Sequence, residues 1–198
     1  MPTVAQQAVQ HAPVRDNKRP QLLDSAARNF CEHGYNAASM RDIAAAAGMK
    51  AGSMYYYFAS KEDLLVAVHE EGIDRITDAV TQAITGVDGS WRRLQAAMGA
   101  HLQALLGGGD YARVVIKTLP NEGTAARRRL ITLRDDYEAI FVRLIDDLPV
   151  SEGLSRRHMR LLVLGAMNWS QSWYRPDGDD PGAIAEAFVQ IIRRGDSP

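Results

Sequence analysis

The chain has 198 residues, of which 46% are hydrophobic and 24% are charged, proportions typical of a soluble globular protein. No stretch approaches the ~20 apolar residues that a membrane-spanning helix needs, and the first 20 residues lack the apolar run of a signal peptide. A membrane partner is therefore not expected. The single cysteine, Cys31, cannot form an internal disulfide bond, which is typical of a cytoplasmic protein.

The charge is unevenly distributed along the chain, although its formal net value is only −1. Residues 1–61 contain seven Lys and Arg against four acidic residues, whereas the remainder contains 16 basic and 20 acidic residues. A basic N-terminal part on an acidic body favours a phosphate-binding module fused to a domain that does not bind DNA. A chance distribution of surface charge remains the alternative.

The first helical pattern follows a polar segment, residues 1–17, that we interpret as a flexible arm. Leu23, Ala26, Ala27 and Phe30 recur at the spacing of one helical face, in a helix that begins near Lys18. Gly34 is predicted to follow its end in a left-handed conformation.

Three further helices follow at short intervals. Ser39 and Asp42 form a capping-box pattern that predicts a short helix through residue 47, which ends at Gly48. A third helix is predicted to run to about Phe58. The capping-box pattern of residues 60–63 then begins a long fourth helix.

The rest of the chain also shows helical periodicity, and no period-2 run supports a strand. Helices are predicted at about 90–106, 110–118, 123–147, 154–174 and 181–194. The predicted fold is all-α with about nine helices. It comprises the arm (1–17), a three-helix head (18–61) and a larger body (62–198).

The second and third helices have the spacing of a helix-turn-helix, because only a glycine turn separates them. Gly52 and Ser53 are small enough for the third helix to lie deep in a major groove. Three consecutive tyrosines, residues 55–57, cannot all face one core, since neighbours on a helix are about 100° apart. The head is therefore predicted to bind DNA, through a face that includes Lys50.

Residues 19–65 resemble the DNA-binding region of the TetR family of regulators. The matching residues include Gly34-Tyr35, Ser39 with Asp42-Ile43-Ala44, Ala47-Gly48-Met49, Gly52 to Phe58, and Ser60 to Leu64. The resemblance implies a two-fold dimer on a palindromic double-stranded DNA operator. It implies DNA contacts from Arg41, Lys50, Ala51, Gly52, Ser53, Tyr55, Tyr56, Tyr57 and Lys61, with Tyr55, Tyr57 and Lys61 on phosphates. Ala38, Lys50 and Tyr57 depart from the family's usual residues, so the operator sequence does not follow from the resemblance.

The body is predicted to dimerise and to bind a small molecule. The family pairs its last two long helices between subunits, and Trp173, Phe188 and Ile192 are the candidates for that interface. Residues 173–178 also resemble a subgroup that includes regulators of lipid and steroid catabolism, some of which bind acyl-CoA esters. The candidate effector-binding residues are Trp169, Asn168, Tyr137, Phe141, Met98 and His101, with Tyr111 as a further lining residue. Core packing is the alternative for Trp169.

No pattern in the sequence indicates an enzyme, a cofactor or a metal site. Cys31 and His33 do not share a helical face, and the five histidines form no ligand-spaced cluster. Arg127, Arg128 and Arg129 form either a solvated helix face or an anchor for an anionic ligand. The predicted function is a repressor that an apolar or acyl-CoA-type effector releases from DNA. The alternative is a helical binding protein or enzyme with a vestigial head.

Overall fold

A computed structural model describes residues 18–107, 109–118, 120 and 122–195, so the predicted arm lies outside the described residues. Within these ranges all regular structure is helical, which confirms the predicted all-α class. The nine α-helices found there are α1 (Arg19–Ala37), α2 (Met40–Ala46), α3 (Ala51–Met54), α4 (Lys61–Ile84), α5 (Ser90–Leu106), α6 (Asp110–Lys117), α7 (Ala125–Asp146), α8 (Arg156–Trp169) and α9 (Pro181–Gly195). A 3-10 turn, Ser170–Ser172, extends α8.

The starts of α2 and α4 are fixed by local side-chain caps, as predicted. The Ser39 hydroxyl accepts a hydrogen bond from the backbone N–H of Asp42 at 3.1 Å, and Ser60 caps α4 in the same way through Asp63 at 3.0 Å. Each hydroxyl also donates to the carboxylate three residues later. These caps satisfy N–H groups that the first helical turn leaves without partners.

The turn between α2 and α3 depends on Gly48, whose φ is +65°. The N–H of Gly48 donates to the carbonyl of Ala45, and the N–H of Met49 donates to that of Ala44 at 2.8 Å. This pair of bonds is a Schellman motif, which needs a residue in the left-handed region and so favours glycine. The predicted glycine turn is confirmed.

Two predictions in the head are wrong in detail. Gly34 interrupts α1 with a φ of +77° and a ψ of 158°, an extended rather than a left-handed helical conformation that only glycine readily adopts. The third helix ends at Met54 and not near Phe58, because residues 55–57 form turns closed by i→i+3 bonds. Tyrosine loses side-chain freedom in a helix, and a helix of four residues is too short to offset that loss over three consecutive tyrosines.

The molecule has two hydrophobic cores that share α4. The head core contains residues from α1, α2 and α3, including Phe30, Ile43 and Met54, together with the first turns of α4. The body core joins α4, α5, α7, α8 and α9 around the fully buried Phe141. With 24 residues, α4 is about 36 Å long and therefore connects the two cores as one rod.

Helix α6 packs against both α1 and α4. Tyr111 and Val114 on α6 belong to the head core, although their sequence positions fall within the predicted body, residues 62–198. Gly72 on α4 allows α4 and α6 to approach closely, because a Cβ at this position would lie 2.8 Å from Val115 Cγ2 on α6. The head is therefore held by the body through α6 as well as through α4.

Candidate DNA-binding surface and effector cavity

The α2–α3 unit presents an exposed polar face next to its glycine turn. Arg41, Lys50, Gly52 and Ser53 are all exposed, while Ala51 is half-buried. On the opposite side, Ile43, Ala44 and Met54 are completely buried and fix both helices to the head core. A Cβ added at Gly52 would meet no atom within 4 Å, so the backbone of α3 is open at this position.

The three tyrosines divide between this face and the core. Tyr55 and Tyr56 are 56% and 82% exposed, whereas Tyr57 is half-buried and packs against the head core. Tyr56 and Tyr57 make an edge-to-face contact with their ring centroids 5.6 Å apart. A shallow depression beside them is lined by Lys18, Lys50 and Ser53 among others.

Lys61 occupies a different position from the one expected of a phosphate ligand. Its Nζ donates to the carbonyl oxygens of Tyr35 at 2.7 Å, Asn36 at 3.3 Å and Ala38 at 2.9 Å. The same ammonium lies 4.5 Å from the centre of the Tyr35 ring. An ammonium has only three hydrogens to donate. Lys61 therefore joins the start of α4 to the end of α1, and its contacts do not support the predicted phosphate role.

A cavity of about 250 Å³ lies in the body between α4, α5, α6, α7 and α8. Apolar side chains form most of its wall, namely Ile73, Ile76, Leu105, Val115, Ile116, Leu130, Ile131 and Leu164. The polar and charged lining residues are His69, His101, Tyr137 and Asn168, with Arg127, Arg134 and Glu138 on α7. An apolar cavity with a few placed polar groups is the usual form of a small-molecule site.

His101 and Tyr137 form a buried polar pair in the cavity wall. The Tyr137 hydroxyl lies 2.6 Å from His101 Nδ1, and the two rings stack with centroids 5.8 Å apart. Burial lowers the pKa of His101 to about 4, an effect that the Asn168 side chain partly opposes. The Asn168 side chain is nevertheless not placed to form a hydrogen bond with the His101 ring, and the buried Nε2 of His101 has no partner among the described residues. Burial also raises the pKa of Tyr137, so both groups are neutral.

The second histidine of the cavity, His69, has its hydrogen bond satisfied within the protein. Its Nε2 lies 2.9 Å from the carbonyl oxygen of Thr118, which can only accept, so His69 carries its hydrogen on Nε2. Burial lowers the pKa of His69 to about 4, while the hydrogen bond to Thr118 opposes that shift. His69 thereby ties the cavity side of α4 to the end of α6.

The structure brings three of the six predicted effector-binding residues to the cavity: His101, Tyr137 and Asn168. Met98 and Phe141 do not line it, and both are completely buried in the body core. The Phe141 ring contacts the His101 ring edge-to-face, with ring centroids 6.0 Å apart. Trp169 lies outside the cavity and is 71% exposed. Neighbouring helical residues point about 100° apart, so Asn168 and Trp169 face different surroundings.

Tyr111 lies in the contact between head and body, not in the cavity wall. Its hydroxyl donates to Asp24 Oδ1 at 2.8 Å, and the Arg75 guanidinium lies over its ring at 4.2 Å. Arg75 in turn bonds to Glu71 at 2.8 Å. Burial, followed by the hydrogen bond to Asp24, raises the pKa of Tyr111. This cluster joins α1, α4 and α6.

The arginine run at the start of α7 is divided among three contacts. Arg127 lines the cavity and donates to the carbonyl of Pro120 at 3.2 Å, while Arg129 is paired with Glu70 on α4. Arg128 donates to the carbonyl of Gly123 at 2.7 Å and pairs with no carboxylate among the described residues. The run is therefore more than a solvated face.

An apolar face of the body remains uncovered along α8 and α9. Leu162 is 60% exposed, Trp169 71% and Ile191 66%, and Leu161 and the expected interface residue Trp173 are also exposed. Gly165 lies between Leu162 and Trp169 at helical spacing, with open space beside it. Phe188 and Ile192 instead lie half-buried against the body core of their own chain.

Two further features are absent from the described residues. No group of three His, Cys, Asp or Glu side chains there is arranged to hold a metal ion. None of the described helices is long and apolar enough to cross a membrane.

Comparison with known proteins identifies both parts of the chain. A family model described as bacterial regulatory proteins of the tetR family matches residues 22–68. A second model, a tetracyclin repressor-like C-terminal domain, matches residues 88–195. Together these matches cover the head and most of the body.

Similar proteins include both an activator and a repressor. The chain is 28% identical over 188 residues to the HTH-type transcriptional activator FasR of Mycolicibacterium smegmatis, across 91% of this chain and 84% of that protein. It is also 28% identical over 188 residues to the HTH-type transcriptional repressor KstR2 of Mycobacterium tuberculosis, across 91% and 93%.

A solved structure has the same fold. The transcriptional regulator FadR from Bacillus subtilis, in complex with stearoyl-CoA, superposes with a TM-score of 0.74 at 22% identity, over 87% of this chain and 96% of that one. The family models, the helical architecture and the glycine-turned α2–α3 unit lead to one conclusion: the chain belongs to the TetR family of bacterial regulatory proteins.

Proposed function

We propose that this protein is a cytoplasmic, dimeric transcriptional repressor, without enzymatic activity, that an acyl-CoA-type effector releases from a palindromic operator. The observation that carries the effector part is the apolar cavity with arginines in its lining. The repressor KstR2 is among the similar proteins, and the fold is shared with a FadR structure that contains stearoyl-CoA.

The α2–α3 face supports DNA contact by its exposure and its chemistry. Arg41 and Lys50 carry positive charge, and Tyr55 and Tyr56 offer exposed hydroxyl groups to phosphates. Ser53 and the open backbone at Gly52 allow a groove to approach closely. Arg41, Lys50, Ala51, Gly52, Ser53 and Tyr55–Tyr57 are the proposed contacts. Lys61 is excluded because its ammonium already holds three carbonyls.

The cavity suits a molecule with an apolar chain and an anionic head. A water molecule occupies about 30 Å³ of liquid, so 250 Å³ holds roughly eight groups of that size, comparable to a medium acyl chain. Arg127 and Arg134 lie in the lining, where Arg127 pairs with Glu122 and Arg134 with Asp135 and Glu138. Arg128, next to Arg127 in the sequence, has no carboxylate partner among the residues described. Arginine binds phosphate through paired donors. An acyl-CoA ester combines these two features.

Helix α6 provides a physical route from the cavity to the head. Val115 and Ile116 form part of the cavity wall, while Tyr111 on the same helix bonds to Asp24 on α1. A ligand shifts DNA affinity only if it binds the DNA-competent and incompetent arrangements unequally. An acyl chain of the effector that displaces α6 alters the position of α1. The spacing of the two recognition faces in the dimer then changes as well.

The dimer is proposed to form through the uncovered face of α8 and α9. Leu162, Trp169 and Ile191 are large apolar side chains that are 60%, 71% and 66% exposed, and Leu162 and Trp169 lie on one face of α8. Permanent interfaces are large and apolar, and Gly165 allows two α8 helices to approach closely. We therefore propose Trp169 as a residue of the dimer contact and not of the cavity.

The decisive experiment measures operator binding and effector response together. Fluorescence anisotropy on DNA from upstream of the protein's own gene should show salt-sensitive binding, and footprinting should protect two symmetric half-sites. Octanoyl-CoA should weaken that binding, about 5- to 150-fold for an ordinary coupling energy, whereas free CoA should not. Arg127→Gln should weaken the response, and Arg92→Gln, at an exposed site on α5, should not. Protection of a single half-site, or DNA affinity unchanged by bound thioester, would refute the proposal.

A further inference from the structure

One residue of the cavity wall, His101, has a buried polar atom with no hydrogen-bond partner among the described residues. Nε2 of His101 is buried and makes no hydrogen bond, and the residue as a whole is only 4% exposed. His69, the other histidine of the cavity, instead bonds to the Thr118 carbonyl. Buried polar groups almost always have hydrogen-bond partners, so an unpartnered nitrogen on a residue that lines a ligand-sized cavity needs an explanation.

Tyr137 determines which kind of partner is missing. A phenol has one O–H to donate, and His101 Nδ1, 2.6 Å away, is the one hydrogen-bond partner of Tyr137 among the described residues, so we assign the Tyr137 O–H as the donor of this bond. A neutral imidazole that accepts at Nδ1 must carry its hydrogen on Nε2. With this assignment the unpartnered Nε2 carries a hydrogen and is a donor, and it requires an oxygen acceptor.

We propose that His101 Nε2–H is the specificity anchor of the cavity and binds a carbonyl oxygen of the effector. This inference depends on the proposed function, since it assumes that the effector occupies this cavity. The carbonyl is either that of the thioester itself or one further along the acyl chain. A purely hydrocarbon ligand would leave the donor buried and unpaired, so the site selects against it.

Neighbouring residues hold this donor in place. Stacking on Tyr137 and the edge-to-face contact with Phe141 fix the plane of the imidazole ring. Asn168, at the end of α8, lies beside the ring and lines the same cavity. Tyr137 is thus a positioning residue, because it fixes the position of the hydrogen on His101 without having to touch the ligand.

The first test is nitrogen-15 NMR of the histidine side chains in the full-length, ligand-free protein. We expect the His101 signals of an imidazole protonated at Nε2 and not at Nδ1. Tyr137→Phe should allow the other tautomer to appear, since Nδ1 then loses its donor. A wild-type ring protonated at Nδ1 would overturn the proposal, because Nε2 would then be an acceptor.

The second test compares ligands that differ only in the carbonyl group. Calorimetry would measure the affinities of octanoyl-CoA, its thioether analogue octyl-CoA and 3-oxooctanoyl-CoA. One hydrogen bond should give wild type a preference of about 2- to 12-fold for the carbonyl compound. A preference for octanoyl-CoA over the thioether identifies the thioester carbonyl, and an added preference for the 3-oxo compound identifies a chain carbonyl. His101→Phe should abolish either preference, whereas Met98→Leu, a buried change one turn away on α5, should keep it.

The two proposals fail separately. If none of the CoA compounds binds, the acyl-thioester effector is wrong, and the anchor is then decided by 2-nonanone against nonane in the same protein. Equal affinity for the ketone and the alkane, or a carbonyl preference that survives in His101→Phe, would refute the anchor. Octanoyl-CoA binding without any preference over octyl-CoA or for 3-oxooctanoyl-CoA would leave the effector proposal standing and would also refute the anchor.

Discussion

The contact between α4 and α6 at Gly72 allows a quantitative test of how the body holds the head. In Gly72→Ala, the new Cβ would lie 2.8 Å from Val115 Cγ2 and 3.4 Å from Tyr111 Cβ. Alanine in a helix interior gains about 1 kcal/mol over glycine, but overpacking typically costs about 1–3 kcal/mol. The free energy of unfolding should therefore stay unchanged or fall by up to about 2 kcal/mol.

Gly99 provides the matched control. It also lies inside a long helix, α5, but a Cβ there would meet only Ala185 Cβ at 3.8 Å and Gly182 Cα at 3.9 Å, which are ordinary contacts. Gly99→Ala should thus stabilise the protein by up to about 1 kcal/mol. Urea unfolding at one fixed protein concentration would measure both variants, and the difference of about 1–3 kcal/mol isolates the clash with α6.

A rescue variant tests the cause of that difference. Val115→Ala removes the atom that the new Cβ approaches, so it should cost less stability in the Gly72→Ala background than in wild type. The effector response should change as well, because Gly72→Ala displaces a helix that lines the cavity. If Gly72→Ala and Gly99→Ala stabilise the protein equally, the packing argument for α6 is wrong.

Four further outcomes follow from single contacts. Lys61→Met should destabilise the protein by about 2 kcal/mol, because three carbonyls lose their shared donor; weakened DNA binding at full stability would contradict this. Lys50→Met should instead keep stability and lower the salt slope of DNA binding by about one. Burial lowers the pKa of His69 from 6.5 to about 4, so the unfolded chain takes up a proton there that the native one does not. This residue alone should lower the free energy of unfolding by up to about 3 kcal/mol between pH 6.5 and 4. The pH dependence of stability, measured by urea titration, should be smaller for His69→Gln than for wild type and unchanged for His158→Gln, at an exposed site. Trp169→Glu should yield monomers in sedimentation while octanoyl-CoA still binds, and loss of binding in an intact dimer would return Trp169 to the cavity.

The parts of the head that follow from the sequence are those determined locally. A serine cap and the carboxylate three residues later lie within one helical turn, so Ser39 and Ser60 reveal their helices directly. Gly48 similarly closes a turn whose bonds span only five residues. By contrast, the contacts of Lys61 join it to carbonyls 23–26 residues earlier, and no local pattern predicts such a distance.

The cavity was only partly predictable for a related reason. Hydrophobicity alone does not distinguish a core residue, a cavity wall and a subunit interface, since all three favour large apolar side chains. The sequence therefore predicts Met98, Phe141 and Trp169 as lining residues, although Met98 and Phe141 lie in the core and Trp169 is on the surface. Asn168 stands out in the sequence because it is a polar residue on an otherwise apolar helix. The hydrogen bond between His101 and Tyr137 does not follow from the sequence, because it depends on how α5 and α7 pack.

The location of Tyr111 and Val114 in the head core has a consequence for engineering. A sensor chimera made by cutting near residue 61 and attaching a foreign body would remove two side chains from that core, together with the hydroxyl that bonds Asp24. The transplanted head would then expose apolar surface that α6 normally covers. A functional graft should carry α6 and the first half of α4 with the head, or else redesign the surface of α1 to suit its new partner.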